Sequence, residues 1–213
     1  MIDPYLSDAV TSISRAYLRE AEPSDIAGDL LLTTHDHDDH FDPETVEQAV
    51  AKGILIGGPP SCHGAFQKMM LPEECFIEWE WNRTIDFLGI SITAVKAEHE
   101  GLTDALGYIL HGAGVSVYHV GDCESTEEIM HQTMNLKPDL IVIPINGKWG
   151  NMNAHEAALL VKSTGAKAAI PMHYDLFVGN QEDPERFLDE IHKLGISCKP
   201  VKPERWILNG FQG

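Results

Sequence analysis

Four side chains able to ligate a divalent metal, His35, His37, Asp39 and His40, fall within six residues of the segment THDHDDHFD, residues 34–42. Imidazole nitrogen and carboxylate oxygen, with no thiolate among them, form a donor set compatible with manganese, zinc or iron. The segment follows directly on the apolar run Leu30-Leu31-Leu32. A buried strand ending in a tight loop can aim several polar side chains at one spot. A solvated His/Asp tract has the same composition. Single candidate ligands at matching places downstream argue against that blander reading.

Those downstream candidates are His99, Asp122 and His173. Each stands just past a stretch that reads as a buried strand: 90–96 before His99, 115–120 before Asp122 in HVGDCES, and 168–171 before His173 in IPMHYDLF. Polar residues beyond the carboxyl ends of strands collect on one edge of an α/β sheet, where such proteins build their sites. Taken singly, each has an ordinary explanation as a loop histidine or a Gly-Asp turn. Their order and placement together make a site.

The elements that must position these residues alternate along the chain. Strands are expected at 30–34 and 54–57, with helices at 43–52 and 61–70. Asp42 is a candidate N-cap and Pro43 fits the first helical position. A β-rich block follows at 76–81, 84–88, 90–96, 105–110 and 115–120, broken by Asn-Arg and Gly turns. Alternation then resumes with helix 126–135, strand 140–145, helix 154–163, strand 168–171, helix 184–193 and a terminal strand at 206–208. Sheets covered by helices are the expected architecture. With 213 residues and 43% hydrophobic content, a single domain spanning 1–213 is expected.

Charge and composition exclude several classes of function. With 33 acidic against 15 basic residues and a formal charge of −18, the chain is a poor partner for nucleic acid, whose affinity depends on phosphate neutralisation. A small anionic substrate remains open, because a bound metal supplies the positive charge that the surface lacks. No run of about 18 apolar residues suggests a membrane span. The opening Met1-Ile2-Asp3-Pro4-Tyr5-Leu6 has none of the marks of a secretory signal, so a cytoplasmic location is expected. Cys62, Cys75, Cys123 and Cys198 form no C-x-x-C pair and suit reduced thiols.

The loop PINGKWGNMN at 144–153 combines amide donors, one cation and flexible glycines. Asn146, Lys148 and Asn151, with Tyr174, are the candidate substrate-binding residues. An ordinary loop in which Asn153 caps the next helix explains the same letters. His155 reads equally as a pocket residue or a solvated helix residue. His63, His111, His119, His131 and His192 have no partner spacing and read as structural or exposed. Trp79 and Trp81, alternating on one strand, read as packing.

The ordered set HxHxDH, then a separate His, an Asp and a last His, resembles the metallo-β-lactamase superfamily. The segments IDPYLSD, THDHDDHFD, IGGPPSC, PEECF, YHVGDCE, PINGKWGNMNAHEA and IPMHYDLF resemble the branch that contains L-ascorbate-6-phosphate lactonase. The resemblance covers nearly the whole chain. It implies a four-layer αββα sandwich. Its members normally carry a β-hairpin before the IDPY element, where this chain has Met1 and Ile2. Either the hairpin precedes Met1 in the natural protein, or the protein lacks it and exposes a sheet edge that another copy could cover, which suits a homo-oligomer.

The resemblance also implies roles. His35, His37 and His99 would hold one metal, Asp39, His40 and His173 a second, and Asp122 would bridge them; Asp3 would brace the histidine loop. Members of the lactonase branch can hold a single ion, often manganese, so one or two ions are expected here. Asp122 and Asp39 would be catalytic, orienting a metal-activated water and taking its proton. The implied activity is hydrolysis of a lactone or related ester of a phosphorylated sugar acid. A phosphodiesterase acting on a small phosphodiester, and a metal-stabilised binding or structural protein, are the alternatives.

Overall fold

The computed structural model describes residues 1–200; the strand expected at 206–208 lies outside them. The chain divides into two compact units, Met1–Glu78 and, among the described residues, 79–200. No helix among the described residues is long and apolar enough to cross a membrane.

The N-terminal unit is built on a parallel three-stranded sheet, β1 (Leu30–Leu32), β2 (Leu55–Gly58) and β3 (Phe76–Glu78), in that order. All three leucines of β1 are buried, as expected for a parallel strand read as one apolar run. Ile2 makes a parallel bridge to Leu32 on the other side of β1. Helices α1 (Pro43–Ala51) and α2 (Pro60–Lys68) supply Val46, Ala49, Cys62 and Phe66 to a core shared with Leu31 and Ile56. Proline opens both helices, where its missing N–H costs nothing. Gly58 must be glycine, because a Cβ there would overlap Thr33 Oγ1 and touch Cys62.

Asp42 does stand at the N-cap position of α1, but its side chain makes no cap bond. Its buried carboxylate instead accepts from the backbone N–H groups of Leu6 and Ser7 and the hydroxyls of Ser7 and Thr45. A charge this deep needs several donors, and the 6–7 segment supplies them. The strand expected at 76–81 stops at Glu78. Trp79 is fully buried edge-on to Tyr108, while Trp81 is 53% exposed, so only the first of the two tryptophans packs.

The C-terminal unit carries a mixed seven-stranded sheet. Strands β4 (Thr84–Phe87), β5 (Ile90–Lys96), β6 (Leu106–Gly112) and β7 (Val115–His119) form an antiparallel meander. Strands β8 (Leu140–Pro144), β9 (Ala168–Met172) and β10 (Lys199–Pro200) then add in parallel beyond β7. Helices α3 (Glu127–Gln132), α4 (Ala154–Thr164) and α5 (Pro184–Lys193) occur between these parallel strands. Ala157, Ala158, Leu160 and Val161 of α4 meet Ile141 and Ile143 of β8 and Phe187 and Ile191 of α5 in one core. Each large aliphatic side chain buried there contributes about 1.5–3 kcal/mol. Asn153 caps α4 with a reciprocal bond from its backbone N–H to Glu156, as the sequence expects.

This topology decides where the ligand candidates go. Two antiparallel steps from β5 through β6 make β5 and β7 run the same way, and β8 and β9 follow β7 in parallel. The carboxyl ends of all four strands therefore share one edge. His99, Asp122, Asn146 and His173 lie just past those ends.

Candidate metal centre

In the N-terminal unit the loop after β1 folds back at once, with the N–H groups of His40 and Phe41 both donating to the His37 carbonyl. That turn brings His35 Nε2 to 3.0 Å from His37 Nδ1. His40 Nε2 lies 3.7 Å from Asp39 Oδ2. Ligands about 2.0–2.2 Å from a shared ion sit roughly 3.0–3.4 Å apart, so each pair has close to the spacing of two corners of one coordination sphere. His35 and His40 are buried.

Asp3 holds this loop. One of its oxygens accepts from the Thr34 N–H at 2.8 Å, and the other lies 2.7 Å from the Thr34 hydroxyl and 2.9 Å from His40 Nδ1. A carboxylate only accepts when ionised, so His40 Nδ1 carries the hydrogen, and Nε2 is the nitrogen able to coordinate an ion.

In the C-terminal unit Asp122 is the centre of the group. Its Oδ2 lies 3.1 Å from His173 Nε2 and 3.7 Å from His99 Nε2. One carboxylate oxygen facing two imidazoles is the arrangement a bridging ligand needs. His99 Nδ1 points to the Gly150 carbonyl at 3.1 Å, which fixes the hydrogen on that nitrogen. His173 has a left-handed backbone, φ 59°, and its carbonyl accepts from Asn180 Nδ2 at 3.2 Å.

The expected substrate residues have varied surroundings. Asn151 is 8% exposed, and its amide links Cys123 N–H to Asp122 Oδ2. Asn146 is buried and donates to the Lys148 carbonyl; its Oδ1 meets no donor among the described residues. The Lys148 ammonium donates to the Gly179 carbonyl. Tyr174 packs half-buried against the core. A hollow of about 340 Å³ beside this loop is lined by Glu124, Ser125, Lys148, Trp149, Asn151 and Glu156, among others.

Two further residues escape the sequence pattern. Asn180 braces His173 from a turn seven residues away, with nothing in its local sequence to mark it. His63, read as structural or exposed, lies between Glu78 at 2.8 Å and Glu73 at 2.9 Å, partners that its sequence spacing does not mark. His155 pairs with Glu190 on the solvated side of α4, the blander of its two readings. Burial pushes the Cys123 thiol up to about 12, so this neighbour of Asp122 stays protonated at neutral pH. The four cysteines are free thiols.

Comparison with known proteins decides the family. The model of the Beta-lactamase superfamily domain matches residues 1–174. A UPF0173 metal-dependent hydrolase of Methanopyrus kandleri is 30% identical over 213 residues, covering 94% of this chain and 87% of that protein. The chain belongs to the UPF0173 metal-dependent hydrolases. A Sulfurisphaera tokodaii member of the family is 32% identical over 178 residues, covering 82% of this chain and 78% of its own. Igni18, described as a metallo hydrolase from Ignicoccus hospitalis, shares the fold, with a TM-score of 0.72 at 22% identity over 95% of this chain and 86% of that one. This UPF0173 hydrolase therefore has the metallo-β-lactamase fold, with mixed α/β sheets. Its donor groups fit a hard or borderline divalent ion, since every candidate is nitrogen or oxygen.

Proposed function

We propose that this metal-dependent hydrolase opens a lactone or related ester of a phosphorylated sugar acid. In this proposal His35, His37, Asp39 and His40 act with His99, Asp122 and His173 on one or two ions of manganese, zinc or iron. A bound divalent ion supplies a nucleophile at neutral pH by lowering the pKa of water, and stabilises charge on the attacked group. Asp122 orients the attacking water. Where a single ion is bound, Asp39 takes the water's proton at a carboxylate oxygen; where two are bound, it serves as a ligand to the second. Asn146 and Tyr174 complete the substrate contacts.

The observation that carries the substrate class is the polar hollow containing Lys148. At about 340 Å³ it has the size of a small-molecule pocket. An ammonium has three donors, and Lys148 uses one on Gly179, so two remain for a carboxylate or phosphate. The likeness of PINGKWGNMNAHEA and IPMHYDLF to the ascorbate-phosphate lactonase branch supports the same class.

The test compares metal-loaded chain on phosphorylated lactones, the unphosphorylated lactones and a chromogenic phosphodiester. Ring opening is expected to favour the phosphorylated lactone. Lys148→Ala is expected to raise its KM about tenfold, the equivalent of one charge-assisted bond, with kcat little changed. Phosphodiester turnover without any ring opening would replace the lactonase reading with a phosphodiesterase.

A further inference from the structure

The turn 147–151 touches two ligand candidates through adjacent residues. Gly150 offers its carbonyl to His99 Nδ1, and Asn151 offers its amide to Asp122. We propose that Asn151 is a positioning residue for the metal centre, holding the Asp122 carboxylate so that Oδ2 faces both His99 and His173. The proposal rests on the metal-centre reading above and is independent of the substrate.

The orientation of the amide is settled by its neighbours. Cys123 N–H donates to Asn151 Oδ1 at 2.8 Å, which leaves the NH₂ group turned to Asp122 Oδ2, also at 2.8 Å. The Met152 N–H then donates to the Cys123 carbonyl at 2.9 Å. The turn is thereby pinned to the residue that follows Asp122. An N–H donated to an ionised carboxylate is among the stronger hydrogen bonds and fixes direction as well as distance.

The turn is also closed on itself. Asn151 N–H donates to the Lys148 carbonyl, Gly147 N–H to the Met152 carbonyl, and Asn146 and Asn153 form an antiparallel bridge. Gly147, Trp149 and Gly150 all have left-handed φ, between 50° and 66°. A Cβ on Gly150 would lie 2.9 Å from both the Glu100 nitrogen and His99 Nδ1. The backbone must come this close for its carbonyl to reach His99. The Asn151 side chain, buried and bonded at both ends, consequently has little freedom.

Cobalt(II) binding to chelator-stripped full chain tests this, read by the visible absorption of the bound ion and by competition with a chelator. Asn151→Ala is expected to weaken cobalt affinity about 10- to 100-fold, the range typical of residues that orient ligands. Asn151→Ser keeps a short donor and acceptor, and is expected to recover much of that loss and the parent's absorption band. Metal-free melting reads the stability cost of the lost bonds separately: a fall of about 2–8 °C is expected for Asn151→Ala, equivalent to about 1–2 kcal/mol in a chain of this size, and cobalt is titrated well below that transition. Asn151→Ala binding cobalt within about twofold of the parent would overturn the proposal while leaving the metal centre standing. Equal losses in the Ala and Ser variants would also overturn it, by removing the role of the donor. A parent chain that takes up no cobalt would overturn the metal centre and this proposal together.

Discussion

The two ligand groups are held by opposite means. In the N-terminal unit the candidates are neighbours in sequence, and one distant carboxylate, Asp3, braces the loop that carries them. In the C-terminal unit they come from three strand ends, and separate groups brace them: a carbonyl for His99, an amide for Asp122, and Asn180 at the backbone of His173. Contiguous ligands need little of the fold to bring them together but depend on a single charge for their orientation. Dispersed ligands need a whole sheet, and their supports are spread over several contacts. The first group should therefore fail abruptly at one residue, and the second by degrees.

Asp3→Ala should show the abrupt failure. It leaves the Thr34 N–H, the Thr34 hydroxyl and His40 Nδ1 without the acceptor they share. Donors left unmatched at a half-buried site cost about 1–3 kcal/mol each when water cannot replace the partner. Partial rehydration lowers the sum, and a loss of about 2–4 kcal/mol is expected in urea denaturation of the metal-free chain. Asp3→Asn retains one carbonyl oxygen and should lose about half as much. A cost below about 1 kcal/mol for Asp3→Ala would end the contrast, because Asp3 would then not govern the loop.

Gly150→Ala probes the dispersed group. A left-handed alanine costs about 1–2 kcal/mol by itself, and the added methyl meets His99 and the Glu100 backbone. Gly53, at φ 77° with open space for 4 Å around a methyl placed on it, supplies the control. Gly53→Ala should show the conformational cost alone, and Gly150→Ala about 1 kcal/mol more, together with weaker metal uptake. Equal melting shifts and equal metal affinity in the two variants would mean that the approach of Gly150 to His99 does not matter.

The same contrast explains what could be read from the letters. THDHDDHFD is legible because four candidate ligands follow one apolar strand within six residues. His99, Asp122 and His173 are legible as residues past strand ends, since apolar runs and turn residues mark β5, β7 and β9 locally. The partners of these ligands are not marked in that way. Asn151 lies 29 residues from Asp122 and Asp3 lies 31 from Thr34, separations that only the folded chain closes. Local pattern also misplaces the Asp42 carboxylate, which serves residues 6 and 7 rather than capping α1. Trp79 and Trp81 fail as a pair because strand alternation ends with β3 at Glu78.

The smallest effect tests whether the N-terminal unit depends on single charges away from the ligand loop as well. His63 on α2 stacks on Phe76, ring centroids 4.7 Å apart, with Glu73 at one ring nitrogen and Glu78 at the other. Hydrogen bonds to Glu73 and then Glu78 raise its pKa above the usual value near 6.5, against a smaller opposing effect of burial. A raised folded-state pKa means that protonation favours folding. The contribution is complete below about pH 6.5 and disappears as pH rises through the higher folded value. Both carboxylates are more than a third exposed, so solvent and salt screen the pairs and the total should be under about 1 kcal/mol. In metal-free chain, the stability difference between parent and His63→Gln should be larger at about pH 5.5 than at about pH 8.5 and should shrink in high salt. A difference that does not change with pH would assign His63 to packing against Phe76, and would confine the dependence on charge in this unit to Asp3 and Asp42.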